Sequence, residues 1–248
     1  MKSNRLFHTL LIACAAQVFS LAAHSANVLF VSDSRTDTNI PAILTADRHT
    51  VTTVVNDFTS GPDTNAVLTG SLAAYSVVVW SATGTGRGNR HAAATATALT
   101  IWVTSGGRLF VTGYDSTISP DDPVLQGLLG VSSATDDTSN PRSGPVITVA
   151  NSLTTGLVDI RGVTPSGGHD DQDSLAGLLV GTVCVVPDAN RPGNCHWTLR
   201  TLGSGQIAYV SNGESGVSAH ASWANTSSGG LGAYNAALRN FVDRKRVV

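Results

Sequence analysis

Lysine is almost missing from this 248-residue chain: Lys2 and Lys245 are its only two, and Met1 is its only methionine. Charged residues of all kinds reach 13%, and the formal net charge is −2. A charge balance this mild does not point to nucleic acid or an anionic membrane as a partner, and no nucleic acid is expected. Cysteine is scarce as well: Cys14, Cys184 and Cys195 are too few for a disulfide-built scaffold. After Ala23 no apolar run approaches the roughly 20 residues a spanning helix needs, so no integral membrane segment is expected beyond that point. Thr, Ser, Asn and Gly dominate what remains, a composition suited to life outside the cytoplasm.

The one long apolar run, Leu6 to Ala23, lies at the amino terminus behind Lys2 and Arg5, and no acidic residue precedes Asp33. Ala23-His24-Ser25-Ala26 follows with the small residues that a signal peptidase requires. Residues 1–25 are therefore read as a secretory signal peptide, with cleavage after Ser25 placing Ala23 and Ser25 in the small-residue subsites. The run also contains His8, Gln17 and Ser20, which argue against a membrane anchor. Leu11-Ile12-Ala13-Cys14 loosely resembles a lipobox, but the apolar Ala15-Ala16-Gln17-Val18-Phe19 after it is a poor tether. Loss of Lys2 and Arg5 takes the 15 basic residues to 13 against 17 acidic ones, so the mature charge becomes −4. The expected location is secreted or periplasmic.

Export also bears on the cysteines. Cys14 leaves with the signal, and Cys184 and Cys195 flank Pro187-Asp188-Ala189-Asn190-Arg191-Pro192-Gly193, a turn sequence between two strand-like runs. A disulfide across this hairpin is expected in an oxidising compartment. Cys195 and His196 could instead serve a metal, but with Cys184 they fall short of the four ligands of structural zinc.

Residues 26–248 are read as a single domain. Asn27 to Val31 forms an apolar run of the kind that fills a strand buried on both faces. A short helix from Asn39 to Asp47, a strand over Val51 to Val55 and a helix over Ala66 to Ala74 come next. Ser76-Val77-Val78-Val79-Trp80 is the clearest strand in the sequence. A helix from Asn89 to Thr104 ends at Gly106-Gly107, and Arg108 to Thr112 begins another strand. This alternation favours an α/β fold with an open, mainly parallel sheet and helices on both faces. The second half reads as β-rich. Pro123 to Leu129 forms a helix and 131–144 a polar loop. Strands are expected at Val146–Val149, Leu178–Val186, His196–Leu202 and Gln206–Val210, and a helix at Leu231–Val242.

Val28 to Val31, Tyr75 to Trp80 and Trp102 to Gly113 together resemble the class I glutamine amidotransferase-like superfamily, in particular its exported relatives without amidotransferase activity. The resemblance covers roughly residues 27–130, with further support from Gly205 to Val210 and the last helix. It implies a flavodoxin-like sheet. The amidotransferases place a nucleophilic cysteine in a G-x-C-x-G turn after the fourth strand. Here that turn is Gly113-Tyr114-Asp115-Ser116-Thr117, with Asp115 in the cysteine position. The His-Pro-Glu signature is replaced by Ser211-Asn212-Gly213-Glu214. Without a thiolate and its base at those places, glutamine hydrolysis by the family mechanism is not expected.

In such a sheet ligands sit beyond the carboxyl ends of the strands. Asp33, Ser81, Thr83, Asp115, Asn212 and Glu214 are the expected ligand-binding residues, although short polar residues also cap helices and close turns at these positions. Asp115 and Ser116 are the candidates for a nucleophile, with His220, in the Gly/Ser-rich loop before the last helix, as a base. His49, His91, His169 and His196 are the other histidines that could serve, and none of the five sits in a recognisable motif. His169-Asp170-Asp171-Gln172-Asp173 is acidic enough to raise calcium, but it lacks the EF-hand spacing and reads as a solvated turn that begins a helix. Gly84-Thr85-Gly86-Arg87-Gly88 lacks the Lys-Ser/Thr of a phosphate loop. No cofactor is implied. The expectation is an exported, non-catalytic domain that binds a small polar ligand, carbohydrate or protein partner. A secreted hydrolase using strand-end Asp/Ser and a histidine, and a calcium-dependent surface protein, are the alternatives.

Overall fold

A computed structural model of the chain describes residues 25–32, 39–55, 64–82, 92–113, 116–117, 122–137, 146–165, 172–211 and 232–243. Its centre is a nine-stranded mixed sheet. Four strands, β1 (Asn27–Ser32), β2 (Thr50–Val55), β3 (Val77–Ser81) and β4 (Arg108–Gly113), alternate with helices α1 (Asn39–Ala46), α2 (Thr64–Leu68) and α3 (Ala93–Thr104). They pair in parallel in the order β2-β1-β3-β4. Helix α4 (Pro123–Leu129) is followed by β5 (Ser133–Asp137), β6 (Gln172–Ala176), β7 (Thr182–Pro187), β8 (Cys195–Leu202) and β9 (Gly205–Ser211), and α5 (Gly232–Val242) comes last. Strand β9 runs parallel to β4, and from there the sheet turns antiparallel through β8, β6 and β5, with β7 also paired to β8.

Two-residue alternation divides the core into two layers. Val28 and Phe30, Val77 and Val79, Phe110, and Ala208 and Val210 face one layer. Leu29 and Val31, Val78 and Trp80, Leu109 and Val111, and Ile207 and Tyr209 face the other. The first layer is covered by Ile40 and Leu44 of α1 and by Tyr234, Ala237, Leu238 and Phe241 of α5. The second is covered by Leu68 of α2, Leu99 and Val103 of α3, and Leu125, Leu128 and Leu129 of α4. The central strands β1, β3, β4 and β9 are largely apolar because both sides of the sheet are dry there, and each fully buried Leu, Val or Phe adds about 1.5–3 kcal/mol.

Local chemistry fixes the joints. Asp122 caps α4 by accepting from the Leu125 amide, Pro123 fits its first turn, and Gly130 ends it in the left-handed region at φ +80°. Cys184 and Cys195 are joined by a disulfide, their Cα atoms 5.7 Å apart, and tie β7 to the start of β8. The expected hairpin is thus present. On β8, Trp197 packs edge-on against Tyr234 of α5 at 5.0 Å, which anchors the antiparallel half to the first layer.

Three sequence expectations are corrected. Residues 133–137 were expected in a polar loop but form β5, which pairs antiparallel to β6. Gln172 and Asp173, expected in a solvated turn leading to a helix, lie in β6 and are 3% and 1% exposed. Val146–Val149 is not a strand: Ile147 exchanges backbone hydrogen bonds with Gly162 and Val163 instead of joining a ladder. Among the described residues, no helix is long and apolar enough to cross a membrane.

Candidate functional site

The parallel register sets Ser32, Ser81 and Thr112 side by side at the carboxyl ends of β1, β3 and β4. All three are buried, and the Thr112 hydroxyl donates to the Val210 carbonyl at 2.7 Å. Gly113 then leaves β4 at φ +144°. A side chain there would run into the Ala82 carbonyl, so only glycine fits. Three residues on, Ser116 is fully buried and its hydroxyl donates to that same Ala82 carbonyl. Of the expected ligand-binding residues, the structure therefore places Ser81 at the carboxyl edge. Asp33, Thr83, Asp115, Asn212 and Glu214 lie outside the described residues, as do His220, His91 and His169.

Next to Ser116 begins a chain of buried polar groups that runs into the antiparallel half. The Thr117 amide and hydroxyl donate to Asp173 Oδ2 at 2.9 and 2.7 Å, and the Tyr209 hydroxyl donates to the same oxygen. The Asp173 amide donates to the Ser211 hydroxyl oxygen at 2.8 Å, which ties β6 to the carboxyl end of β9. Burial pushes the Asp173 carboxyl above its usual range, against the pull of the Tyr209 and Thr117 donors. Burial, and then the Asp173 carboxylate, push the Tyr209 phenol well up. The phenol thus stays protonated as a donor, and the arrangement is a structural clamp between strands.

Beyond Asp173 the chain reaches a second cluster. The Asp173 carbonyl faces His196 Nδ1 at 3.2 Å. A carbonyl oxygen can only accept, so Nδ1 carries the ring proton. On the far side of the ring, Nε2 lies 3.6 Å from Asp137 Oδ2 and 3.6 Å from Asp188 Oδ1. Asp188 is held by the Ser174 hydroxyl on Oδ2 and by the Asn190 and Arg191 amides on Oδ1, at 2.7 and 3.1 Å. The Arg191 guanidinium approaches the opposite oxygens, Asp137 Oδ1 at 3.6 Å and Asp188 Oδ2 at 3.9 Å. One ligand atom from each of Asp137, Asp188 and His196 lies within 4.8 Å of the other two, and all three residues are buried.

His196 was considered in the sequence beside Cys195 as a metal ligand and among the histidines that could serve as a base. The structure separates the two: Cys195 is consumed by its disulfide, and the partners of His196 are carboxylates 59 and 8 positions away in sequence. No local motif signals that arrangement. Asp173 was visible only as part of an acidic run, and its partners Thr117 and Tyr209 come from two other elements. His49, the other described histidine, sits at the amino edge, where its Nδ1 accepts from the Ala26 amide at 3.1 Å.

A cleft of about 720 Å³ also opens at the amino edge, lined by Asn27, Leu72, Tyr75, Ile101, Trp102 and Gly107 among others. Among the described residues Tyr75 is the only ionisable side chain in its lining, and the cleft lies at the edge opposite Ser81 and Ser116.

No protein-family model matches the chain, and no curated protein is significantly similar to it. Solved structures do share its fold. A cytoplasmic protein from Salmonella typhimurium is 11% identical with a TM-score of 0.54, the match covering 87% of this chain and 99% of that one. The cold-adapted beta-galactosidase from Rahnella sp. is 15% identical with a TM-score of 0.51, over 87% of this chain but only 31% of the enzyme. The chain thus spans under a third of that enzyme's length. At these identities the likeness is one of fold.

Proposed function

We propose that this chain is an exported, catalytically silent domain on a class I glutamine amidotransferase-like scaffold, which binds a small polar ligand or carbohydrate at the carboxyl edge of its parallel strands. The observation that carries this reading is Ser116. It follows the turn where the superfamily keeps its nucleophile, and it is buried with its hydroxyl committed to the Ala82 carbonyl. A nucleophile must be exposed to substrate and in reach of a base. The order β2-β1-β3-β4-β9 among the parallel strands supports a flavodoxin-like sheet, whose switch point falls between β1 and β3, where Ser32 and Ser81 end their strands. The Cys184–Cys195 disulfide supports an oxidising destination, hence export.

The mature chain from Ala26, offered a panel of ester, amide and glycoside substrates, is expected to turn over none of them, and Asp115→Ala to change nothing in that assay. A thermal-shift screen against sugars, polyols and amino acids is expected to yield a ligand whose stabilisation is weakened by Asp33→Ala or Asp115→Ala. Turnover that is abolished by Asp115→Ala would overturn the proposal and establish the hydrolase. Sequencing the amino terminus of the exported protein should read Ala-Asn-Val-Leu, and an intact leader would remove export from the reading.

A further inference from the structure

We propose that Asp137, Asp188 and His196 form a binding site for one divalent transition-metal ion, with zinc the ion that best suits the donors. The inference is independent of what binds at the carboxyl edge. It rests first on the orientation of His196. With Nδ1 donating a hydrogen bond to the Asp173 carbonyl, Nε2 is the ring nitrogen turned toward Asp137 Oδ2 and Asp188 Oδ1. Contacts of 3.6 Å are too long for hydrogen bonds, and Nε2 makes none among the described residues. The His196 side chain is only 2% exposed and those of Asp137 and Asp188 are 1% and 0% exposed. One nitrogen and two carboxylate oxygens therefore converge in a buried cluster, the donor arrangement that a cation joins.

The spacing suits a metal. Ligands at about 2.0–2.1 Å from a tetrahedral zinc lie about 3.3 Å from one another; the two separations from Nε2 are 3.6 Å, and the carboxylate oxygens lie within 4.8 Å of each other, so the site must contract to close on the ion. The surroundings also have the form of a metal's outer shell. Nδ1 donates to a main-chain carbonyl, which fixes the ring and raises the basicity of Nε2. Asp188 is oriented by the Ser174 hydroxyl and two turn amides. Arg191 approaches the outward oxygens of both carboxylates, so it offsets one negative charge and leaves the ring-facing side for the ion. A mixed nitrogen and oxygen set favours zinc over calcium, which takes oxygen alone. Three protein ligands leave one position for water.

The competing occupant is a proton on Nε2, which would make the cluster an ion pair without metal. The test titrates zinc alone into the chelator-stripped mature chain, followed by calorimetry and thermal melting. We expect one equivalent to bind with micromolar or tighter affinity, and the melting temperature to rise with zinc and fall with chelator. Cobalt(II) in place of zinc should give a visible absorption band. His196→Ala and Asp137→Asn should each weaken zinc binding by at least about 100-fold. Should His196→Ala fail to fold, the wild-type titration and Asp137→Asn still decide the question. Overturning results are the absence of zinc binding by the folded wild-type chain, zinc binding unchanged in both variants, or an NMR spectrum with Nε2 protonated at neutral pH in the presence of zinc.

Discussion

Gly113 illustrates how one residue can join sequence, backbone and site. It sits at φ +144°, and any Cβ would strike the Ala82 carbonyl and crowd the Ser116 hydroxyl. Gly113→Ala should therefore lower stability by at least about 2 kcal/mol, from backbone strain and steric overlap together, measured by chemical denaturation. An unchanged midpoint would mean that the turn after β4 relaxes freely. This glycine was legible because the turn it opens follows a recognisable strand. Asp173 was not legible, for the opposite reason. Its sequence neighbours Asp170 and Asp171 present it as a hydrophilic run, while its burial depends on Thr117 and Tyr209, which only the folded chain brings near.

Strands with a long apolar run were readable, the short run Val146–Val149 excepted, and the polar strands β5 and β6 were not. Strands β1, β3, β4 and β9 are filled on both faces by Val, Leu, Ile and aromatic residues, and they stand within a residue or two of where those runs place them. Strands β5, Ser-Ala-Thr-Asp-Asp, and β6, Gln-Asp-Ser-Leu-Ala, look like loop. They become strands through each other's ladder and through buried partners for their carboxylates, since strand preference is largely a matter of context. The β7–β8 hairpin was readable from its turn residues and cysteines. Its disulfide closes a short loop, with a sequence separation of 11, and its removal by Cys184→Ser with Cys195→Ser should cost about 2–3 kcal/mol of unfolding free energy. Guanidinium unfolding of this double variant, compared with the oxidised parent, reads the difference. Equal stabilities would assign the disulfide no part in holding the hairpin.

At the scale of the whole molecule, the closing helix meets the first strand crossover around His49. Arg239 of α5 makes a two-pronged ion pair with Asp47, at 2.6 and 2.8 Å, just before His49. Burial lowers the His49 pKa below its ordinary 6.5; Asp243 and Asp47 oppose this and Arg239 adds to it. The native ring, accepting from the Ala26 amide, thus takes up a proton less readily than the unfolded one. Its contribution to stability is fully present above pH 6.5 and is lost as the pH falls through the lowered value. Unfolding free energies measured from about pH 7.5 down to about pH 5 should decline, and His49→Gln should flatten that decline. A slope that His49→Gln leaves unchanged would place the acid sensitivity elsewhere.

The sheet that organises all of this ends in β2 on one side and β5 on the other. Those two strands carry Thr50, Thr52 and Thr53, and Ser133, Thr135 and Asp136, all exposed. A foreign strand adding to β5 would meet a carboxylate, and one adding to β2 would find hydroxyls in place of an apolar stripe. The apolar strands β1, β3, β4 and β9 are enclosed between these polar margins, while β7 lies off this path, paired with β8 and tied to it by the disulfide. The apolar centre of the sheet can therefore be carried at low net charge without being offered to neighbouring copies.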